Sequence, residues 1–164
     1  MAARCYIGLG SNLAQPGAQL DRAVATLRSA DQIELVALSS YYCSAAIGPG
    51  EQPDYQNAVA AIATTLAPLQ LLDALQAIEN RQGRERSVRW GARTLDLDLL
   101  FYDQLQLRSE RLQLPHPRIC ERLFVLQPLA EIAPQLRFAD GSSVAEQLAK
   151  LLQQGNLKLL STVS

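Results

Sequence analysis

Histidine, tryptophan and methionine each occur once in this chain of 164 residues, lysine twice and cysteine three times. A single histidine rules out a multi-histidine metal centre. The three cysteines, Cys5, Cys43 and Cys120, lie far apart with no C-x-x-C pair, which excludes a disulfide framework and a thiolate zinc site. They are expected to be reduced and mostly buried. No apolar run approaches the length of a bilayer: the longest, Ala58 to Ala63, is six residues, and MAARCYIGLGSN at the N-terminus has no signal-peptide core. A cytoplasmic protein without membrane attachment is expected. The formal net charge is −1, so net charge alone attracts neither nucleic acid nor an anionic membrane.

What is present is a core-forming composition, 48% hydrophobic and 19% charged, which suits one soluble domain over residues 1–164. The pattern predicts a strand over Arg4 to Leu9, ending at Gly8, Gly10, Ser11 and Asn12. A helix follows over Pro16 to Ser29, with Leu20, Val24 and Leu27 on one face. Ile33 to Tyr42 alternates as a second strand, Gly48 to Pro53 is a loop, and Ala58 to Thr65 is a short buried strand. Pro68 to Gln82 carries an apolar helical stripe of Leu71, Leu72, Leu75 and Ile78, with Gly83 as a left-handed stop. Next come a strand over Leu95 to Tyr102, a short return strand at Leu105 to Leu107 and a turn at Pro115-His116-Pro117. Helices over Leu123 to Ile132 and Ser143 to Gln153 precede a last strand near Leu157 to Leu160. The order predicts an α+β fold, one sheet with helices packed against it.

The chemistry concentrates in the middle. Nine of the thirteen arginines fall between Arg81 and Arg122. In the strand of RWGARTLDLDLL, residues 89 to 100, Leu95, Leu97 and Leu99 share one face while Asp96, Asp98 and Leu100 share the other, so the two carboxylates project side by side. Alone, such a pair reads as a solvated strand edge. Beside Arg84, Arg86, Arg89 and Arg93 it suits Mg²⁺, which prefers oxygen ligands, while forked guanidinium donors take phosphate oxygens. Metal plus arginines points to phosphoryl transfer. Arg111 and Arg137 are expected to be bystanders. His116, held between prolines and followed by Arg118 and Arg122, suits a phosphate contact. Tyr55, Asn57, Trp90 and Phe124 stand near the Gly/Pro loop or the charged segment, where rings could sandwich a flat heterocycle while Asn57 reads its edge.

In these segments the chain resembles the 6-hydroxymethyl-7,8-dihydropterin pyrophosphokinases of folate biosynthesis. RWGARTLDLDLL fits that family's signature, and GLGSNL (8–13), GPGEQPDYQNA (48–58), LPHPR (114–118) and PLAEIAP (128–134) resemble its other landmarks in the same order. The resemblance implies a ferredoxin-like α+β sandwich with a mixed or antiparallel sheet, and transfer of diphosphate from ATP to the pterin hydroxymethyl group. It implies two Mg²⁺ ions on Asp96 and Asp98. ATP would meet Gln76, Glu79, Arg86, Arg89, Arg93, Leu99, His116 and Arg122, with Arg84 and Arg93 nearest the transition state. The pterin would meet Ser44, Ile47, Tyr55, Asn57, Trp90 and Phe124. Loops at Gly10 to Pro16, Gly48 to Pro53 and Gly83 to Gly91 would act as lids. A monomer whose partners are these two small molecules is expected, with no nucleic acid and no membrane. Two departures stand out: Ser44-Ala45-Ala46 replaces a common Thr-Pro-Pro, and Pro117 replaces a tyrosine of some members.

Two other classes compete. A nucleic-acid-binding α+β module would need exposed aromatics on a strand, a pattern missing here, and Asp96 and Asp98 would repel the phosphates. A nucleotidyltransferase would share the metals but attack the α-phosphorus.

Overall fold

The computed structural model describes residues 2–12, 15–45, 54–83 and 95–163. Its centre is β1 (Ala3–Ser11), flanked antiparallel by β4 (Tyr55–Thr64) and β5 (Asp96–Tyr102). Beyond β4 lie β2 (Ile33–Leu38) and β3 (Tyr42–Ser44), each pairing antiparallel with a different half of it. The sheet order is β2-β4-β1-β5, which leaves β5 at one edge. The described pairings are all antiparallel, and helices pack on the sheet, as an α+β sandwich requires.

Side-chain alternation divides the interior in two. Cys5, Ile7 and Leu9 of β1, Ala58, Ala60 and Ile62 of β4, and Leu95, Leu97 and Leu99 form one cluster with α1 (Pro16–Ser29) and α2 (Pro68–Gly83). The predicted apolar positions of both helices lie against it, except that Leu72 is only half-buried. Across the sheet, Val59, Leu100 and Phe101 pack with α3 (Leu123–Ile132) and α4 (Val144–Gly155). Leu100 and Phe101 are consecutive yet face the same cluster because a bulge intervenes: Ile7 pairs with Leu99 and Tyr6 with Phe101, leaving Leu100 as the extra residue.

Several expected boundaries shift for identifiable reasons. β1 runs through Gly8 and Gly10 instead of stopping there, because it is paired on both sides as far as Gly10. The single strand expected over Ile33 to Tyr42 breaks at buried Ser39, whose Oγ accepts from the Val59 N–H at 2.9 Å and so stands in for a ladder carbonyl. α2 is described as far as Gly83, and the residues that follow lie outside the described ones. The return strand near Leu105 is displaced: β6 (Leu107–Arg108) pairs with β7 (Gln113–Leu114) as a separate ribbon. Ser143 caps α4 from outside, accepting from the Glu146 N–H while Glu146 accepts from the Ser143 N–H, a capping box. Residues 157–160 form no strand, and the tail instead meets β3 at an isolated bridge between Tyr42 and Thr162. The loop expected at Gly48 to Pro53 lies outside the described residues, as does most of the 83–91 lid.

Cys5 is buried, whereas Cys43 is exposed and Cys120 half-buried, so burial holds for the first thiol alone. Among the described residues no helix is long and apolar enough to cross a membrane.

Candidate active site

The alternation that buries Leu95, Leu97 and Leu99 turns Asp96 and Asp98 to the opposite face, opposite Gly10 and Gly8 of β1 respectively. The glycines leave space above the sheet. A cavity of about 450 Å³ stands there, with Gly8, Gly10, Asp96 and Asp98 along β1 and β5. Tyr55 and Asn57 of β4 and Ser44 of β3 line one side, and Arg122, Phe124 and Val125 the other. A Cβ at Gly10 would stand 2.9 Å from Asn57 Nδ2, so glycine is required for the amide to hold its place. Asn57 is 5% exposed, and its Oδ1 accepts from Ser44 Oγ at 2.7 Å, which fixes which way the amide points. The Arg122 guanidinium sits 5.8 Å from the Phe124 ring centroid, within cation–π range.

A second cavity, about 350 Å³, opens at the free edge of β5 between α2 and the β6–β7 ribbon. Leu72, Gln76 and Glu79 line it from α2, Leu97, Asp98 and Leu99 from β5, and residues Ser109 to Gln113 with His116 from beyond. Asp98 belongs to both cavities and Asp96 to the first. Glu79 Oε2 accepts from the Leu97 N–H at 2.8 Å. That N–H belongs to an edge strand and lies between the two aspartates, so α2 helps fix the stretch of β5 that presents them.

Arg111, expected as a bystander, is instead part of this second cavity. Its guanidinium donates to Asp73 at 2.5 Å and to Gln76 Oε1 at 3.3 Å, holding the Gln76 amide in place. His116 Nδ1 accepts from the Arg118 N–H at 3.2 Å, so the neutral ring carries its proton on Nε2. Burial pushes the His116 pKa below the ordinary histidine range; Asp98 opposes this and the Arg122 and Arg118 charges add to it. The ring is therefore a neutral donor near pH 7.

The expected residues thus fall into groups. Ser44, Tyr55, Asn57 and Phe124 meet around the first cavity, while Gln76, Glu79, Leu99 and His116 meet around the second. Arg122, expected with the nucleotide group, lines the first cavity beside Phe124. Ile47, Arg84, Arg86, Arg89, Trp90 and Arg93 lie outside the described residues. Sequence reasoning missed Gly8 and Gly10 as cavity-lining positions and Arg111 as a brace. The first had a usable signal, since glycines two apart in a strand share one face. Arg111 had none, because its partners Asp73 and Gln76 lie more than thirty residues away.

The carboxylate pair fits Mg²⁺. It offers oxygen donors from two neighbouring positions on one strand face. Two carboxylates leave most of an octahedral shell to water and phosphate oxygens, as Mg²⁺ prefers.

Comparison with known proteins bears on the family and the fold. Residues 6–134 match the family model of 7,8-dihydro-6-hydroxymethylpterin-pyrophosphokinase. A 2-amino-4-hydroxy-6-hydroxymethyldihydropteridine pyrophosphokinase of Pseudomonas aeruginosa is 50% identical over 149 residues, covering 91% of this chain and 92% of that protein. One from Haemophilus influenzae is 47% identical over 154 residues, covering 94% and 96%. Among solved structures, an HPPK-DHPS in complex with substrates shares the fold with a TM-score of 0.74 at 11% identity, over 95% of this chain and 44% of that one. The wild-type HPPK-DHPS of Plasmodium falciparum gives 0.73 at 11% identity, over 99% and 46%. This chain spans less than half of those two longer proteins. With a specific signature, the sandwich fold and near full-length relatives in agreement, the chain belongs to the 7,8-dihydro-6-hydroxymethylpterin-pyrophosphokinase family.

Proposed function

We propose that this chain transfers diphosphate from ATP to the hydroxymethyl group of 6-hydroxymethyl-7,8-dihydropterin, giving AMP and the pterin diphosphate in folate biosynthesis. The observation that carries the assignment is the pair of cavities that share Asp98. A transfer between two molecules needs two subsites with the reacting groups held where they touch, since positioning supplies much of such a rate.

The first cavity takes the pterin. Tyr55 and Phe124 supply aromatic surface for a flat ring, and the Ser44–Asn57 pair presents fixed polar groups to its edge. The second takes the nucleotide, with Gln76 braced by Arg111 and the His116 Nε2–H as a neutral donor. Leu99 lends apolar surface there, and Glu79 keeps the edge of β5 in register. Asp96 and Asp98 would hold two Mg²⁺ ions, which would supply positive charge to offset that of the triphosphate. Arg122, in the wall of the first cavity, donates hydrogen bonds to phosphate oxygens. For residues outside the described ones the family resemblance supplies the roles: Arg86 and Arg89 toward ATP, Arg84 and Arg93 toward the charge that moves, and Ile47 and Trp90 toward the pterin. In the transfer the hydroxyl oxygen bonds to the β-phosphorus and gives up its proton to solvent as the bond from that phosphorus to the α–β bridging oxygen breaks, and AMP leaves.

Purified protein with ATP, Mg²⁺ and the pterin is expected to form AMP and pterin diphosphate in equal amounts, and EDTA to stop the reaction. ADP would mean transfer of the γ-phosphoryl group alone, and free pyrophosphate attack at the α-phosphorus. AMP formed equally fast without pterin would overturn the assignment.

A further inference from the structure

The tail beyond α4 ends against the pterin side of the molecule. α4 is closed by Asn156 in the left-handed conformation (φ 51°), after which the chain runs back toward α3. There Gln127 grips the backbone of Leu160 at both polar atoms: its Nε2 donates to the Leu160 carbonyl at 3.1 Å, and its Oε1 accepts from the Leu160 N–H at 2.7 Å. The next residues pair with β3. The Cys43 N–H donates to the Ser161 carbonyl at 2.9 Å, and the Val163 N–H to the Tyr41 carbonyl at 2.8 Å, on either side of the Tyr42–Thr162 bridge.

β3 has only three residues and pairs through Tyr42, Cys43 and Ser44 with Asn57, Gln56 and Tyr55 of β4. So short a strand, held on one side only, is marginal. Its last residue, Ser44, carries the hydroxyl that donates to Asn57 Oδ1. The tail occupies the other side of β3, and α3 holds it from the sheet face, where Glu131 accepts from the Tyr42 hydroxyl at 2.6 Å. Phe124, the aromatic wall, lies one turn before Gln127 on the same helix. One helix therefore bears a cavity wall and the grip on the segment that braces the facing wall.

We infer that Gln127 and the tail segment 160–163 are positioning elements of the pterin subsite, holding β3 so that Ser44 sets the orientation of the Asn57 amide. This inference rests on the pterin assignment of the first cavity. The tail touches β3 and Gln127, on the side away from Gln76, Glu79 and His116, so its influence falls on one substrate.

The test compares full-length protein with Gln127→Ala, Gln127→Glu and a chain lacking 157–164. AMP formation gives kcat and both KM values, and calorimetry gives binding of 6-hydroxymethyl-7,8-dihydropterin and of ATP. Gln127→Ala and the truncation are expected to weaken pterin binding and raise its KM about tenfold, the scale of one or two lost backbone hydrogen bonds. The ATP constants and kcat at saturating pterin should stay within about twofold. Gln127→Glu, which keeps the acceptor for the Leu160 N–H, should fall between. In a Ser44→Ala background the tail changes should add little, because the route through Ser44 is already cut. Equal weakening of both substrates, unchanged pterin binding in Gln127→Ala, or full additivity with Ser44→Ala would overturn the inference. A full-length chain that binds pterin but makes no AMP would overturn the transfer reaction while leaving the positioning role standing.

Discussion

The two faces of β5 come from one alternating sequence and do opposite work. On one face Leu95, Leu97 and Leu99 are each at most 3% exposed and join the core beneath α1 and α2. On the other, Asp96 and Asp98 reach a cavity because β1 places Gly10 and Gly8 opposite them. The difference teaches that the cavity face depends on what its neighbours omit. Bulky residues at positions 8 and 10 would fill the space above the sheet, whereas the leucine face depends on filling every space. Substitutions on the two faces should therefore separate activity from stability.

The largest effect belongs to the carboxylates. Asp98→Ala and Asp96→Ala should each lower kcat/KM for AMP formation by at least about 10³-fold, because a metal position contributes several kcal/mol to stabilising transferred charge. Thermal melting should barely change, since neither side chain belongs to a hydrophobic cluster. Near-normal turnover with an unchanged Mg²⁺ requirement would break the contrast between the faces. Leu95→Ala, in the same hydrophobic cluster but lining neither cavity, should do the reverse, destabilising the fold by about 2–5 kcal/mol through lost burial and a residual cavity. Denaturant unfolding would measure that loss, and the protein that remains folded should keep close to normal kcat.

Smaller effects sharpen the contrast between the two cavities. Gly10→Ala places a Cβ 2.9 Å from Asn57 Nδ2 and should displace the amide. A rise of about tenfold in pterin KM is expected with ATP KM little changed, the scale of one misplaced hydrogen bond. Arg111→Ala should have the opposite selectivity. With its Gln76 brace lost, ATP KM should rise about threefold to fivefold, whereas Arg137→Ala, which lies outside both cavities, should leave kinetics unchanged. The smallest effect concerns the thiols. Burial, with a further contribution from Asp103, pushes the Cys5 pKa up to about 12, so an alkylating reagent at pH 8 should modify exposed Cys43 and spare Cys5. Mass spectrometry would read the order, and labelling of Cys5 before unfolding would show that the leucine face is open.

Local patterns carried much of this into view. Helical spacing in α1 and α3 marked both ends of each, because Pro16 opens one and the apolar stripe of the other spans its whole length. The period-two alternation of LDLDLL separated carboxylates from core without any tertiary information. Where a long-range partner intervenes, local pattern fails. The break after Leu38 depends on Ser39 reaching Val59, and Leu100 and Phe101 share a face only because of a bulge against Tyr6 and Ile7.

By itself, then, the sequence determined which residues can do chemistry and on which face of their strand they stand, because backbone geometry fixes side-chain direction residue by residue. Tertiary structure alone decided what lies across from them: Gly10 beneath Asn57, Arg111 against Gln76, Glu79 on the edge of β5 and the tail against β3. These partners are separated by 18 to 120 positions, 97 minus 79 and 162 minus 42 at the extremes. No local period encodes such distances. They are set when the two clusters pack on opposite sides of the sheet and bring its edges and ends into hydrogen-bonding range.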